Sequence, residues 1–123
     1  MSTNSPTVLI TVTKPYTAQY LDPISFDAGA TVHVERDDPE YPGWFWCRVS
    51  SGKVGWVHRS FLEACRGTTT GLRAYSAREL TVVGGEHGSA IHQLDGWVYV
   101  SLDTGIEGWL PQGNVRISAS GPP

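Results

Sequence analysis

The feature that most constrains this chain is a pair of tryptophans used twice at one spacing. Gly43-Trp44-Phe45-Trp46-Cys47 leads, twelve residues after Trp44, to Gly55-Trp56-Val57; Gly96-Trp97-Val98-Tyr99-Val100 leads at the same spacing to Gly108-Trp109-Leu110. A repeat of this kind means one supersecondary unit used in both halves of the chain. With 123 residues in all, each copy has roughly 50 to 60 residues, the size of a very small domain.

The residues around the tryptophans read as short strands separated by turns. Leu9 to Thr13 is β-branched, and Ile24-Ser25-Phe26 and Thr31-Val32-His33-Val34 alternate apolar with polar, the period of a strand with one face on a core. Asp27-Ala28-Gly29 is a turn. Asp37 to Gly43 is a loop, because two prolines and a glycine remove donors and restrict φ. Ser50-Ser51-Gly52-Lys53 joins Trp44–Val49 to Val54–His58 as a tight hairpin. Arg66 to Gly71 reads as a short linker. The second half repeats the plan through Leu72–Tyr75, Leu80–Val83, Ala90–Leu94, Trp97–Leu102, Glu107–Leu110 and Val115–Ile117. No segment keeps a 3.6-residue apolar period, so the expected class is all-β: two consecutive small barrels, at 8–65 and 71–117, with flexible tails at 1–7 and 118–123.

Expected core positions are Ile10, Val12, Ile24, Phe26, Val32, Val34, Cys47, Val49, Val57 and Leu62 in the first barrel. In the second they are Leu80, Val82, Val100, Leu102, Leu110 and Val115. These alternate along strands and need no functional account.

Composition narrows the function. A formal charge of -3 and a pI near 5.7 give no basic footprint, which argues against nucleic acid as the partner. Glu35, Asp37, Asp38 and Glu40 cluster around Arg36, as a solvated loop or as a charged rim for a basic ligand. Met1 to Thr13 has no Lys or Arg ahead of a hydrophobic segment, and Val8-Leu9-Ile10 is too short for an export signal. No run approaches the ~18 to 20 apolar residues of a membrane span. A soluble cytoplasmic protein, not bound to membranes, is expected. Cys47 and Cys65 lack the spacing of a disulfide framework, and Cys47 reads as a small core residue.

Chemistry-bearing residues are scattered. His33, His58, His87 and His92 have no Cys or carboxylate spacing that makes a zinc site, and neither cysteine has a partner histidine motif. Gly84 and Gly85 lack the Lys and Ser/Thr of a phosphate loop. The expectation is a noncatalytic protein with no metal and no cofactor.

Asp22-Pro23-Ile24-Ser25-Phe26-Asp27-Ala28-Gly29, then Val32-His33-Val34, a loop, Gly43-Trp44-Phe45, a hairpin and Gly55-Trp56-Val57 together resemble a Src-homology-3 (SH3) domain. The resemblance covers about Ile10 to Ala64 and again about Gly71 to Ile117, as in bacterial proteins that carry such domains in tandem. It implies shallow aromatic grooves that hold a protein or peptide ligand, of which a proline-rich segment is one kind, since prolines pack on flat rings and a preformed polyproline helix loses little entropy.

Carried over by position, the implied ligand-binding residues are Tyr16, Trp44 and Phe61 in the first module and Tyr75, Trp97 and Pro111 in the second. The first module departs from the family pattern at Lys14, His58, Ser60 and Pro23, the second at Arg73 and Asn114. The middle of the second half aligns in two ways. Either Glu79-Leu80-Thr81-Val82 with Gly85-Glu86 is the diverging turn, or the spacing from Tyr75 to Gly88 repeats that from Tyr16 to Gly29. The first alignment places Gly88 at a core position, which should weaken its strand.

Trp44 and Trp97 have two readings, ligand surface or packing, and Trp56 and Trp109 read as cover for the flank of each barrel. Three functions are compatible with these residues. One is peptide or protein capture by the aromatic grooves; another is self-association or scaffolding through other surfaces; the third is binding of cell-wall peptide or glycan.

Overall fold

The structure is a computed structural model that describes residues 7–20 and 22–120. Its strands, in chain order, are β1 (Thr7–Val12), β2 (Ser25–Phe26), β3 (Thr31–Asp37), β4 (Trp44–Val49), β5 (Val54–His58), β6 (Gly67–Thr70), β7 (Tyr75–Ser76), β8 (His87–Leu94), β9 (Trp97–Leu102), β10 (Glu107–Pro111) and β11 (Val115–Ser120). Single 3-10 turns at Arg59–Phe61 and Gln112–Asn114 follow β5 and β10. Among the described residues there is no α-helix, so the class is all-β as the sequence indicates.

The paired tryptophans form corresponding hairpins. Trp46 faces Trp56 across β4 and β5, and Tyr99 faces Trp109 across β9 and β10. The strand before each hairpin carries an irregularity at the same place, between Val34 and Arg36 in β3 and between Ala90 and His92 in β8. The β8–β9 turn has Asp95 and Gly96 at φ 43 and 94, the doubly positive turn whose twist suits a hairpin and which an Asp-Gly pair adopts readily.

The strands assemble into three sheets, ordered β10-β9-β8-β1-β11, β5-β4-β3-β6 and β2-β7. None of them closes on itself, where the sequence reading expects two consecutive barrels. The pairing also groups the residues otherwise than at a linker near residue 70. One compact unit is Gln19–Arg78; the other joins Met1–Ala18 to Glu79–Pro123. β1 lies between β8 and β11, with Ile10 opposite both Gly88 and Ile117. The expected linker is itself a strand, β6, paired with β3 from Thr31↔Thr70 to Val34↔Gly67.

Each core follows this grouping. Ile10 and Val12, expected under the first tryptophan pair, are buried with Leu80, Val82, Val98, Val100, Leu102 and Leu110. Within 19–78 the buried apolar residues include Ile24, Phe26, Val32, Cys47, Val49, Val57 and Leu62, together with Trp44, Phe61 and Tyr75. Burying an aliphatic or phenylalanine side chain contributes ~1.5–3 kcal/mol. Val34 and Val115, also expected inside, are only partly covered. Thr7 and Ser118–Ser120, assigned to flexible tails, are paired in β1 and β11; residues 1–6 and 121–123 lie outside the described residues.

The first of the two alignments for the second half matches the hydrogen bonds. Gly29 N–H donates to the Gly71 carbonyl and Gly71 N–H to Ala30; Gly85 N–H donates to Val12 and Val12 N–H to Glu86. Tyr75 pairs with Phe26 as Tyr16 pairs with Val82. Gly88 does not interrupt its strand. It is buried in an eight-residue β8 where the backbone of Ser101 and Leu102 leaves no room for a Cβ.

Candidate functional site: two aromatic clusters

The six candidate ligand-binding residues are sorted into two clusters, but not by sequence half. Tyr16 joins Trp97, which stands opposite Pro111; Tyr75 joins Phe61 in the unit that contains Trp44.

In the unit containing β1, the rings of Tyr16 and Trp97 meet edge to face with centroids 6.1 Å apart. Trp97 starts β9 and stands opposite Pro111, the last residue of β10. All three are half-buried. The Tyr16 hydroxyl donates to Glu79 Oε1 at 2.9 Å, and Tyr16 exchanges both backbone hydrogen bonds with Val82. The phenol is therefore held from both ends of its side chain. Below it, Asn114 Nδ2 donates to the carbonyls of Pro15 at 3.0 Å and Lys14 at 3.5 Å. Lys14 and Asn114, both departures from the family pattern, thus tie the 3-10 turn to the chain before Tyr16.

In the unit 19–78 the corresponding rings are inside. Trp44 is 4% exposed, Phe61 4% and Tyr75 6%. His58, in the place that Pro111 has in the other cluster, is also buried and meets the Trp44 ring edge to face at 5.1 Å. Its Nδ1 lies 2.8 Å from Ser60 Oγ and accepts from Ser60 N–H. Phe61 and Tyr75 have centroids 4.6 Å apart, and Tyr75 also stacks on Phe26. The Tyr75 hydroxyl donates to the Trp56 carbonyl at 2.7 Å, satisfying the one polar atom of a buried ring. Arg73 covers Phe61, its guanidinium carbon 4.4 Å from the ring centroid. Three residues expected on a ligand surface are thus buried, with His58 against Trp44 and Arg73 over Phe61.

Sequence reading gave Arg73, His58 and Asn114 as departures from a pattern without saying what they do, and it missed Glu79 as the partner of Tyr16. The signal for Glu79 was present in the diverging-turn alignment, which places it one residue before Leu80.

A third aromatic group lies on the outer row of β3, β4 and β5. Arg36 stacks on Trp46 and Trp56 at 5.1 and 5.5 Å, and Tyr20 adds a tilted contact to Trp46 at 5.7 Å. Trp56 is half-buried here, whereas Trp109 is fully buried.

Titratable groups offer little chemistry. Burial pushes the Cys47 thiol up to about 12, with smaller contributions from Cys65 and Glu35, so Cys47 is a protonated core group at neutral pH and no nucleophile. Among the described residues no group of three His, Cys, Asp or Glu could hold a metal ion, and no helix is long and apolar enough to cross a membrane.

Residues 9–65 match the model of the variant SH3 domain family. The chain is similar to the SH3 and PX domain-containing protein 2A of Mus musculus and of Homo sapiens, 42% identical to each over 53 residues. That region is 43% of this chain and 4% of each relative's length. Both relatives are mammalian, whereas the sequence resemblance pointed to bacterial tandem proteins. No solved structure matches significantly. Together with the first tryptophan hairpin, the family match finds a variant SH3 domain in the sequence of residues 9–65, a little under half of the chain.

Proposed function

We propose that the chain is a noncatalytic binding module that captures an extended peptide at the cluster of Tyr16, Trp97 and Pro111. The observation that carries this reading is the half-exposed, edge-to-face pair of Tyr16 and Trp97 with Pro111 opposite. Half-exposed flat rings beside a proline suit the packing of proline or short aliphatic side chains, and a stiff extended segment docks on them at low entropic cost. The Glu79 carboxylate beside Tyr16 supplies negative charge at the rim, suited to a Lys or Arg flanking the proline. A single shallow groove of this kind holds its ligand at micromolar strength, about -8 kcal/mol or weaker.

The test is an amide-shift NMR titration of the whole chain with proline-rich peptides, some carrying a flanking arginine. Saturable shifts at Tyr16, Trp97 and the neighbours of Pro111, lost in Trp97→Ala while the rest of the spectrum is kept, support the reading. A silent spectrum, or shifts that survive in the folded Trp97→Ala variant, refutes it.

A further inference from the structure

The two units use corresponding strands taken from the opposite half of the sequence. β1 and β6 have the same place. Thr11 faces His87 as Thr70 faces Thr31, Ile10 faces Gly88 as Thr69 faces Val32, and Leu9 faces Ser89 as Thr68 faces His33. Val12 bridges Val115 as Gly71 bridges Leu62. The segment of residues 7–18 could thus serve 19–66 directly, and the segment 67–78 could serve 79–117; the backbone hydrogen bonds would be the same. The family match over 9–65 reads along the sequence and holds for either arrangement. The molecule nevertheless has the exchanged one.

Side-chain volume explains this at two buried positions. Opposite Gly88, which has no side chain, stands the large Ile10; opposite Val32 stands the smaller Thr69. Next along the same strands, a Cβ placed on Gly71 would lie 2.5 Å from Cε1 and 2.7 Å from Cδ1 of Phe26. Its counterpart Val12 shares a core with Val82, a smaller residue in the place of Phe26. In the direct arrangement Val12 would meet Phe26, where not even a Cβ fits, and Ile10 would oppose Val32. The other unit would have Thr69 opposite Gly88 and Gly71 near Val82, leaving unfilled volume. Overfilling one core and emptying the other are both destabilising. The buried Thr69 hydroxyl, which accepts from Ala64 N–H at 2.8 Å, would also lose that donor.

We infer that large-to-small complementarity at Ile10, Val12, Thr69 and Gly71 specifies the exchange, and that these four residues thereby decide which aromatic cluster Tyr16 and Tyr75 complete. The exchange places Tyr16 with Trp97 and Pro111 and puts Arg73 over Phe61; the direct arrangement would place Lys14 and Tyr16 with Trp44 and His58 instead. For ligand choice this rests on the groove reading above, but its test does not involve a ligand.

Two cysteine pairs, each in the full chain with Cys65→Ser, distinguish the arrangements: Thr11→Cys with His87→Cys reports the exchange, and Thr11→Cys with Thr31→Cys the direct pairing. With the four residues native, the first pair is expected to cross-link under mild oxidation and the second to stay reduced. Ile10→Thr, Thr69→Ile, Val12→Gly and Gly71→Val together are expected to reverse that outcome, and to replace the Tyr16 to Trp97 proton contacts with Tyr16 to Trp44 contacts. Cross-linking of the Thr11 and Thr31 pair with the four residues native overturns the inference, as does an unchanged pattern after the fourfold swap. Should the fourfold variant not fold, the half-swaps Ile10→Thr with Thr69→Ile and Val12→Gly with Gly71→Val are each expected to raise the share of the direct cross-link at least several-fold. No rise in either overturns the role of volume.

Discussion

The cluster around Trp97 and the cluster around Trp44 are built on corresponding hairpins, and Trp97 and Trp44, like Tyr16 and Tyr75, occupy corresponding positions. In the first, Pro111 ends the strand opposite Trp97 and the ring pair remains half-exposed. In the second, His58 is at that place, turned onto Trp44 with its Nδ1 engaged by Ser60, and Arg73 lies over Phe61. The difference teaches that the tryptophan hairpin supplies only a scaffold. Its aromatic face is half-exposed in one unit and buried in the other, and the two differ in neighbouring side chains, His58 and Arg73, that a pattern search scores as substitutions.

That comparison can be broken most directly at the tryptophans. Trp44→Ala removes a buried ring and is expected to cost about 3–5 kcal/mol in chemical denaturation, while Trp97→Ala costs no more than about 2 kcal/mol. Equal losses would mean that the two clusters do not differ in burial.

Alkaline pH sharpens the same contrast, because a cysteine of β4, the strand that Trp44 opens, lies in the core, while the corresponding strand β9 has none. The Cys47 pKa is raised from 9.0 to about 12 in the folded state. A group whose folded pKa is raised binds its proton more tightly when folded, so its contribution is complete below pH 9 and is lost as pH rises through about 12. At about 1.36 kcal/mol per unit the full effect is on the order of 4 kcal/mol. Unit 19–78 is expected to weaken over this range, followed by hydrogen exchange of β4 amides. Cys47→Ala should flatten that dependence, and thiol reagents should label Cys65 well before Cys47.

Smaller effects test the fastenings of each cluster. Tyr16→Phe loses the 2.9 Å hydrogen bond to Glu79 and is expected to cost about 0.5–1.5 kcal/mol and to lower peptide affinity. Arg73→Ala removes the cation over Phe61 and is expected to cost about 0.5–1 kcal/mol. Adding His58→Pro, at a backbone φ of -74 that proline accepts, should open the Trp44 face and raise its fluorescence quenching by acrylamide. Unchanged quenching would show that other contacts shut that cluster.

Much of the local structure was legible in advance. The hairpins, the turns at Gly29 and Gly52, and nearly all the core positions follow from period-two alternation and turn chemistry. The partnership of strands was not. β1 and β6 present the same backbone edge, so periodicity cannot say which half either one completes. The residues that decide it, Gly71 against Phe26 and Ile10 against Gly88, signify only once the register is known. Gly88 illustrates the point: it reads as a weakness in a strand, yet it is where the β9 backbone leaves no room for a Cβ. The site was legible by residue type and not by grouping, for Tyr16 and Trp97 are 81 positions apart and neither periodicity nor the repeat connects them.

The discontinuity of the unit that contains β1 also bears on how the chain is made. A ribosome adding roughly 5 to 20 residues per second releases β1 before anything it pairs with exists. Unit 19–78 can close once Arg78 has emerged, but Thr7–Val12 must wait for β8 and then β11. For those seconds Ile10 and Val12 lack the strands that cover them in the finished fold. A nascent chain of this design gains time-ordered assembly, inner unit first and outer unit last, with its earliest strand as the latest to be housed.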